Sequence, residues 1–159
     1  MGRRLGVVAA VAALAASLAA PGLAIDRPQV FSLLDVTEVE HPIGDFQFNR
    51  APRGGDGFAS TDGLYKWAGA KRGARVGRVE VLCTFTAFQG EGGTALCTGD
   101  FFLPAGQVLA SGFLRLTEGP GHFTIPVVGG TGAYANARGF IKLRDLAGGN
   151  SNVEFHLLP

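Results

Sequence analysis

The stretch that decides the fold runs from residue 75 to residue 128: RVGRVEVLCTFTAFQGEGGTALCTGDFFLPAGQVLASGFLRLTEGPGHFTIPVV. Its apolar residues fall at alternate positions, in short runs broken by Gly, Pro and charged residues, which is the period of a strand and not of a helix. Folding runs 75–88 and 94–103 about Gly90 sets Cys83 directly opposite Cys97. Val81 then faces Gly99, Val79 faces Phe101, and Glu80 stands opposite Asp100. A turn at Pro104-Ala105 pairs Phe101 with Val108 and Gly99 with Ala110. A turn from Glu118 to Gly121 pairs Leu116 with Phe123 and Leu114 with Ile125. Three hairpins thus share one apolar face: Val79, Val81, Cys83, Phe85, Phe101, Val108, Leu114, Leu116, Phe123, Ile125 and Val127. A slip of one residue in any hairpin would send its half of that face to the other side of the sheet.

The opposite face is mixed, with Arg78, Glu80, Leu82, Thr84, Thr98, Asp100, Phe102, Leu109, Ser111, Phe113, Arg115, His122 and Thr124. Two readings fit it. It is a solvated outer wall on which Arg78 or Arg115 offsets the carboxylates, or it lines a ligand cavity with Glu80, Asp100 and Arg78 among the binding groups. Alternation does not choose between them.

Outward from the meander, further alternating runs lie at residues 30–39, 43–49, 63–68, 138–146 and 152–158. Residues 50–61, with Pro52 and Gly54-Gly55-Asp56-Gly57, read as a loop, and residues 71–75 as a solvated basic turn. An all-β, single antiparallel up-and-down barrel of about eight strands follows, because closure removes the exposed edges of such a meander.

Composition sets the remaining bounds. The 159 residues, 47% of them apolar, suffice for one domain. Fourteen basic and thirteen acidic side chains leave a net charge of +1, which gives no basic excess for nucleic acid. At the N-terminus, Arg3-Arg4 precede an uncharged Ala/Val/Leu run, Pro21 breaks it, and Gly22-Leu23-Ala24 offers small residues for signal peptidase. We read residues 1–24 as a signal peptide and 25–159 as the mature domain, with no stable membrane insertion after cleavage. A membrane anchor needs about 18 apolar residues, and Leu5 to Ala20 falls short. Whether export is general or twin-arginine stays open. An oxidising destination makes a Cys83–Cys97 disulfide the expected state, since opposed Cβ atoms lie within reach after modest adjustment.

From Thr124 to Gly139 the chain reads Thr-Ile-Pro-Val-Val-Gly-Gly-Thr-Gly-Ala-Tyr-Ala-Asn-Ala-Arg-Gly. Val-Val-Gly-Gly-Thr-Gly followed by Ala-Arg-Gly resembles the signature of dirigent proteins, within the superfamily that includes plant allene oxide cyclases and bacterial exported proteins. Val76-Gly77-Arg78 before a long strand, the Gly-rich hairpin before Thr94, and Val30-Phe31-Ser32-Leu33-Leu34-Asp35 are similar to family features as well. The resemblance implies an eight-stranded barrel with an apolar cavity, often a homotrimer, here with Phe102, Leu109 and Phe113 as a candidate outer patch. It implies activity through shape, on an epoxide to be cyclised or on phenoxy radicals to be coupled. It also makes Arg138 and Asp35 the candidate catalytic residues, with Tyr134 beside the ligand or plugging the barrel. The usual His before the aspartate is Leu34 here, which speaks against lignan-type coupling.

His41, His122 and His156 sit on separate elements, so no metal site is expected, and no cofactor motif is present. Two functions remain. The first is a cavity protein that binds a small apolar or phenolic molecule and guides its cyclisation, isomerisation or stereoselective coupling. The second is a non-catalytic secreted barrel that binds a ligand or builds an envelope surface. A water-shielded pocket with Arg138 and a carboxylate would favour the first, and a cavity filled by Phe and Leu the second.

Overall fold

The computed structural model describes residues 25–47, 50–68, 71–89, 92–117 and 120–159. The segment read as a signal peptide lies outside the described residues. Eight strands follow in order: β1 (Gln29–Ile43), β2 (Gly57–Ala68), β3 (Lys71–Gln89), β4 (Gly92–Leu103), β5 (Gly106–Thr117), β6 (His122–Gly130), β7 (Arg138–Asp145) and β8 (Asn150–Leu158). Each pairs antiparallel with its sequence neighbour, and β1 closes on β8, so the sheet is a closed up-and-down barrel.

The β3–β4 and β4–β5 registers are those expected from the sequence: Cys83 opposite Cys97, Glu80 opposite Asp100, and Phe101 opposite Val108. Cys83 and Cys97 are disulfide-bonded. The shared apolar face points inward, with Val79, Cys83, Phe85, Phe101, Val108, Leu114, Ile125 and Val127 buried. Val81, Leu116 and Phe123 pack against them from partly buried positions. The mixed face is the outer wall, where Phe113 keeps 66% of its surface exposed.

The third hairpin departs from the expected register. Leu116 and Leu114 were to face Phe123 and Ile125, which would set Ala110 opposite Gly129. Instead Ala110 faces Val127, two residues away, after a bulge between Leu109 and Ala110. Two residues is one strand period, so the inward face survives the shift. Next to the shifted pairs, Pro126 has no N–H to offer a ladder. It also leans over Gly112, where an added Cβ would meet the Pro126 Cδ at 3.0 Å.

Three further expectations are corrected. No strand starts at Ile43 and runs through residues 44–47: β1 extends to Ile43, and Gly44 then turns the chain at φ +70°. Residues 48–49 lie outside the described residues. The loop read at 50–61 ends earlier, because β2 begins at Gly57, and residues before it dock on β3 through Gly55 N–H to Phe85 O and Phe85 N–H to Asp56 O, each at 2.8 Å. The basic turn at 71–75 is the start of β3: the Arg72 guanidinium lies 4.7 Å from the Tyr65 ring, and Arg75 pairs with Glu38 at 3.0 Å. Those partners hold an arginine-rich segment in the sheet that composition alone assigns to solvent.

Candidate functional site

The inside of the barrel has two halves. Towards the β6–β7 connection it is solid. Leu64, Ile141, Val153, Phe155 and Leu157 are fully buried, and Phe155 stacks on Phe31 at 4.6 Å and meets the edge of Phe101 at 5.1 Å. A short 3-10 turn at Gly132–Tyr134 caps that end and buries Tyr134. The signature glycines serve this cap. Gly132 sits at φ +59°, and a Cβ on Gly130 would lie 2.4 Å from the Gln107 carbonyl oxygen.

The other half is hollow, because its inward positions are small: Ser60 on β2, Cys97 and Gly99 on β4, and Ala110 on β5. They leave a cavity of about 620 Å³ floored by Val79, Phe101 and Ile125 and rimmed by Pro120, Leu146 and Gly149. Leu114, Leu116, Phe123 and Leu143 complete an apolar wall, and the disulfide forms part of it. This is ample room for a small organic molecule.

One side of the cavity is acidic. Asp35 on β1 stands opposite Ser151 on β8, and Ser151 stands opposite Asp145 on β7. Asp62 on β2 is paired with Thr37, one strand period from Asp35. The two carboxyls are therefore diagonal neighbours on adjacent strands, about 7 Å apart at the backbone. A bulge between Thr37 and Val39 switches the inward parity of β1, so Glu40 also lines the cavity. Glu38 at the bulge leaves the barrel and accepts from the Tyr65 hydroxyl and from Arg75.

The carboxyls differ in their partners. Asp145 is fully engaged: Oδ2 accepts from Gly121 N–H at 2.9 Å and Oδ1 from the Ser151 hydroxyl at 3.2 Å. Asp62 Oδ2 accepts from the Ser60 hydroxyl at 3.2 Å, while Oδ1 has no partner. Asp35 Oδ1 is also unpartnered, and the two residues keep only 7% and 5% of their surfaces exposed, Asp35 first. Burial, then the charges of Asp62 and Asp145, push the Asp35 carboxyl up to about 8, so it is mostly protonated at neutral pH. Burial also raises Asp62, against the Ser60 and Thr37 hydroxyls that favour its charged form.

Of the candidate residues, only Asp35 and the two cysteines line the cavity. Arg138 is exposed on the outer surface of β7, paired with Leu158 at the capped end. Arg78, Glu80 and Asp100 belong to the outer wall. There Arg78 pairs with Glu80 at 3.0 Å and lies over the Phe102 ring, and Glu80 accepts from the Thr61 hydroxyl at 2.6 Å. Sequence reading passed over Asp62, Asp145, Glu40 and Ser60. The available signal was the alternation Phe58, Ser60, Asp62, Leu64, which puts an aspartate on the same face as two apolar side chains. Extending the loop to residue 61, when β2 begins at Gly57, hid it.

Residues 36–155 match the allene oxide cyclase barrel-like domain family. The chain belongs to that family. Among solved structures it is similar to a pyocyanin demethylase at 24% identity and a TM-score of 0.67, over 82% of this chain and 100% of that one. It is similar to AbnU, an exo-specific intermolecular Diels-Alderase, at 15% identity and TM-score 0.65, over 82% of this chain and 97% of that one. The Diels-Alderase AbmU from Streptomyces koyangensis matches at 13% identity and TM-score 0.65, over 82% of this chain and 63% of that one. At these identities the likeness shows the shared barrel. A comparison with curated proteins finds no match.

Proposed function

We propose that this allene oxide cyclase-like barrel binds a small, largely apolar or phenolic molecule in its hollow half and guides its cyclisation, isomerisation or coupling by holding one conformer. The observation that carries the reading is the half-empty barrel itself: an apolar chamber with one polar side, where Asp35 and Asp62 present unpartnered oxygens. Fixing reacting atoms in a near-attack arrangement inside a water-poor chamber removes much of an intramolecular barrier without a nucleophile or metal. The polar side fixes which end of the ligand points where. Diels-Alderases and a demethylase built on similar barrels lend support to catalysis over passive binding.

The test is a thermal-shift screen of phenolics, polyketide-like compounds and unsaturated fatty-acid derivatives on the wild type and on Ala110→Phe, which fills the chamber. Ligands that stabilise the wild type and not the variant, followed by turnover of one of them, are the expected result. Compounds that stabilise both proteins equally, or none at all, would overturn the cavity reading. Export through residues 1–24 is part of the proposal: N-terminal sequencing of protein recovered outside the cytoplasm should begin at Ile25, and an uncleaved start would refute it. A homotrimer, with Phe102, Leu109 and Phe113 on its contact face, is the family-based expectation for assembly. A monomer in analytical ultracentrifugation at micromolar concentration would remove it.

A further inference from the structure

The geometry points to a ligand that carries an ammonium group on a compact apolar body, with its N–H groups donated to Asp35 Oδ1 and Asp62 Oδ1. This rests on the cavity reading above and names the charge class of what the cavity takes.

Three observations converge. First, among the described residues four acidic side chains line the cavity, Asp35 and Glu40 from β1, Asp62 from β2 and Asp145 from β7, and no described Lys, Arg or His lines it. Among the described residues, neither β8 nor the facing wall from β3 to β6 adds a titratable group, since Cys83 and Cys97 are disulfide-bonded. Second, two of these carboxyls are more than nine-tenths buried and each has an oxygen without a hydrogen bond. A buried acceptor without a donor is costly, so the site is incomplete until something supplies N–H or O–H groups. Third, the acids disfavour one another's ionisation, and a positive charge set between them lets Asp35 and Asp62 ionise together.

A neutral hydroxyl meets the second requirement and not the third. An ammonium meets both, with charge-assisted hydrogen bonds. A metal ion does not suit the arrangement: among the described residues no three His, Cys, Asp or Glu side chains are grouped to hold one. The apolar wall of Leu114, Leu116, Phe123 and Leu143 takes the rest of the ligand. Because Asp35 holds a proton in the empty cavity at neutral pH, entry of the ammonium expels that proton to solvent. Binding therefore tightens as pH rises towards 8 and weakens on acidification.

The experiment compares one frame with three head groups, 1-naphthylmethylammonium, 1-naphthylmethanol and 1-naphthoate, by isothermal titration calorimetry at pH 7.5. The ammonium is expected to bind at least about tenfold more tightly than the alcohol, and the naphthoate not to bind measurably. Repeating the titration in phosphate and in Tris should show release of up to about one proton with the ammonium and none with the alcohol. Asp62→Asn and Asp35→Asn, near-isosteric and checked for folding by their melting curves, should each remove the preference for ammonium while leaving the alcohol within about threefold. Glu154→Gln, on the outer wall, should change neither.

Equal or tighter binding of the alcohol or naphthoate would overturn the ammonium assignment and leave the cavity reading standing. A preference for ammonium that survives both aspartate substitutions would also overturn it, by placing the cation elsewhere. If no naphthyl compound binds, both the assignment and the cavity reading fail.

Discussion

The two halves of this barrel are made by the same eight strands and do opposite things with their inward positions. In the capped half those positions carry Phe, Leu and Ile, and the Phe31, Phe155 and Phe101 rings pack one on another. In the hollow half Ser60, Cys97, Gly99 and Ala110 take such positions, and the cavity is the volume those small side chains leave unfilled. Stability and function are thus divided along the barrel axis. The solid end supplies packing energy, and the hollow end gives up packing to hold a ligand and to bury carboxyls that a stable core would exclude.

This contrast breaks first if Phe155→Ala is tolerated. That side chain is fully buried between two rings, so its truncation should cost about 3–5 kcal/mol in urea unfolding. Ala110→Leu, pointing into the empty half, should cost less than about 1.5 kcal/mol. Equal losses at both sites would mean that the hollow half is packed as tightly as the other.

The hollow half compensates for its missing contacts with a covalent link. Removing the Cys83–Cys97 bond in a Cys83→Ala, Cys97→Ala double variant should cost about 3 kcal/mol, as expected for a loop closed over a separation of 14 residues. A melting temperature unchanged from the wild type would show that β3 and β4 need no cross-link there.

The buried acids give the same contrast a pH signature. Asp35 releases its proton near pH 4 in the unfolded chain and at about 8 in the folded protein. Between those values the folded state binds more protons, so this carboxyl's contribution is whole below pH 4 and is lost as pH climbs through 8. Asp35→Asn has no such slope. Its stability advantage over the wild type should grow by at least about 2 kcal/mol from pH 5 to pH 9 in denaturant titrations. A constant difference across that range would contradict the burial of the charge.

Smallest of all should be the effect of Arg138→Ala. The side chain is exposed at the capped end, so stability should change by less than about 0.5 kcal/mol and cavity binding by less than about twofold. A large loss of binding would move the ligand to the other half of the molecule.

Most of the fold was legible because strand period and register are written in side-chain alternation. Cys83 opposite Cys97 and Phe101 opposite Val108 needed nothing more. What escaped was set by contacts distant in sequence. Lys71 to Arg75 looks like a solvated turn until Tyr65 and Glu38 come beside it, and the β5–β6 register shifts at a bulge between Leu109 and Ala110. The site was half legible. Asp35 stood out through the first-strand resemblance, but its partners Asp62 and Asp145 come from β2 and β7, and only closure of the barrel puts them on one wall. Arg138, prominent in the signature, lies outside because that signature builds the capped end.

The most direct test of the central claim is a carboxyl-carbon NMR titration of Asp35 in the ligand-free protein, assigned by difference from Asp35→Asn. A midpoint near 8 would confirm that the hollow half is a desolvated chamber holding a protonated acid beside other carboxyls. A midpoint near 4 would show that water reaches this wall freely, and would contradict both the buried acidic site and the ammonium assignment built on it.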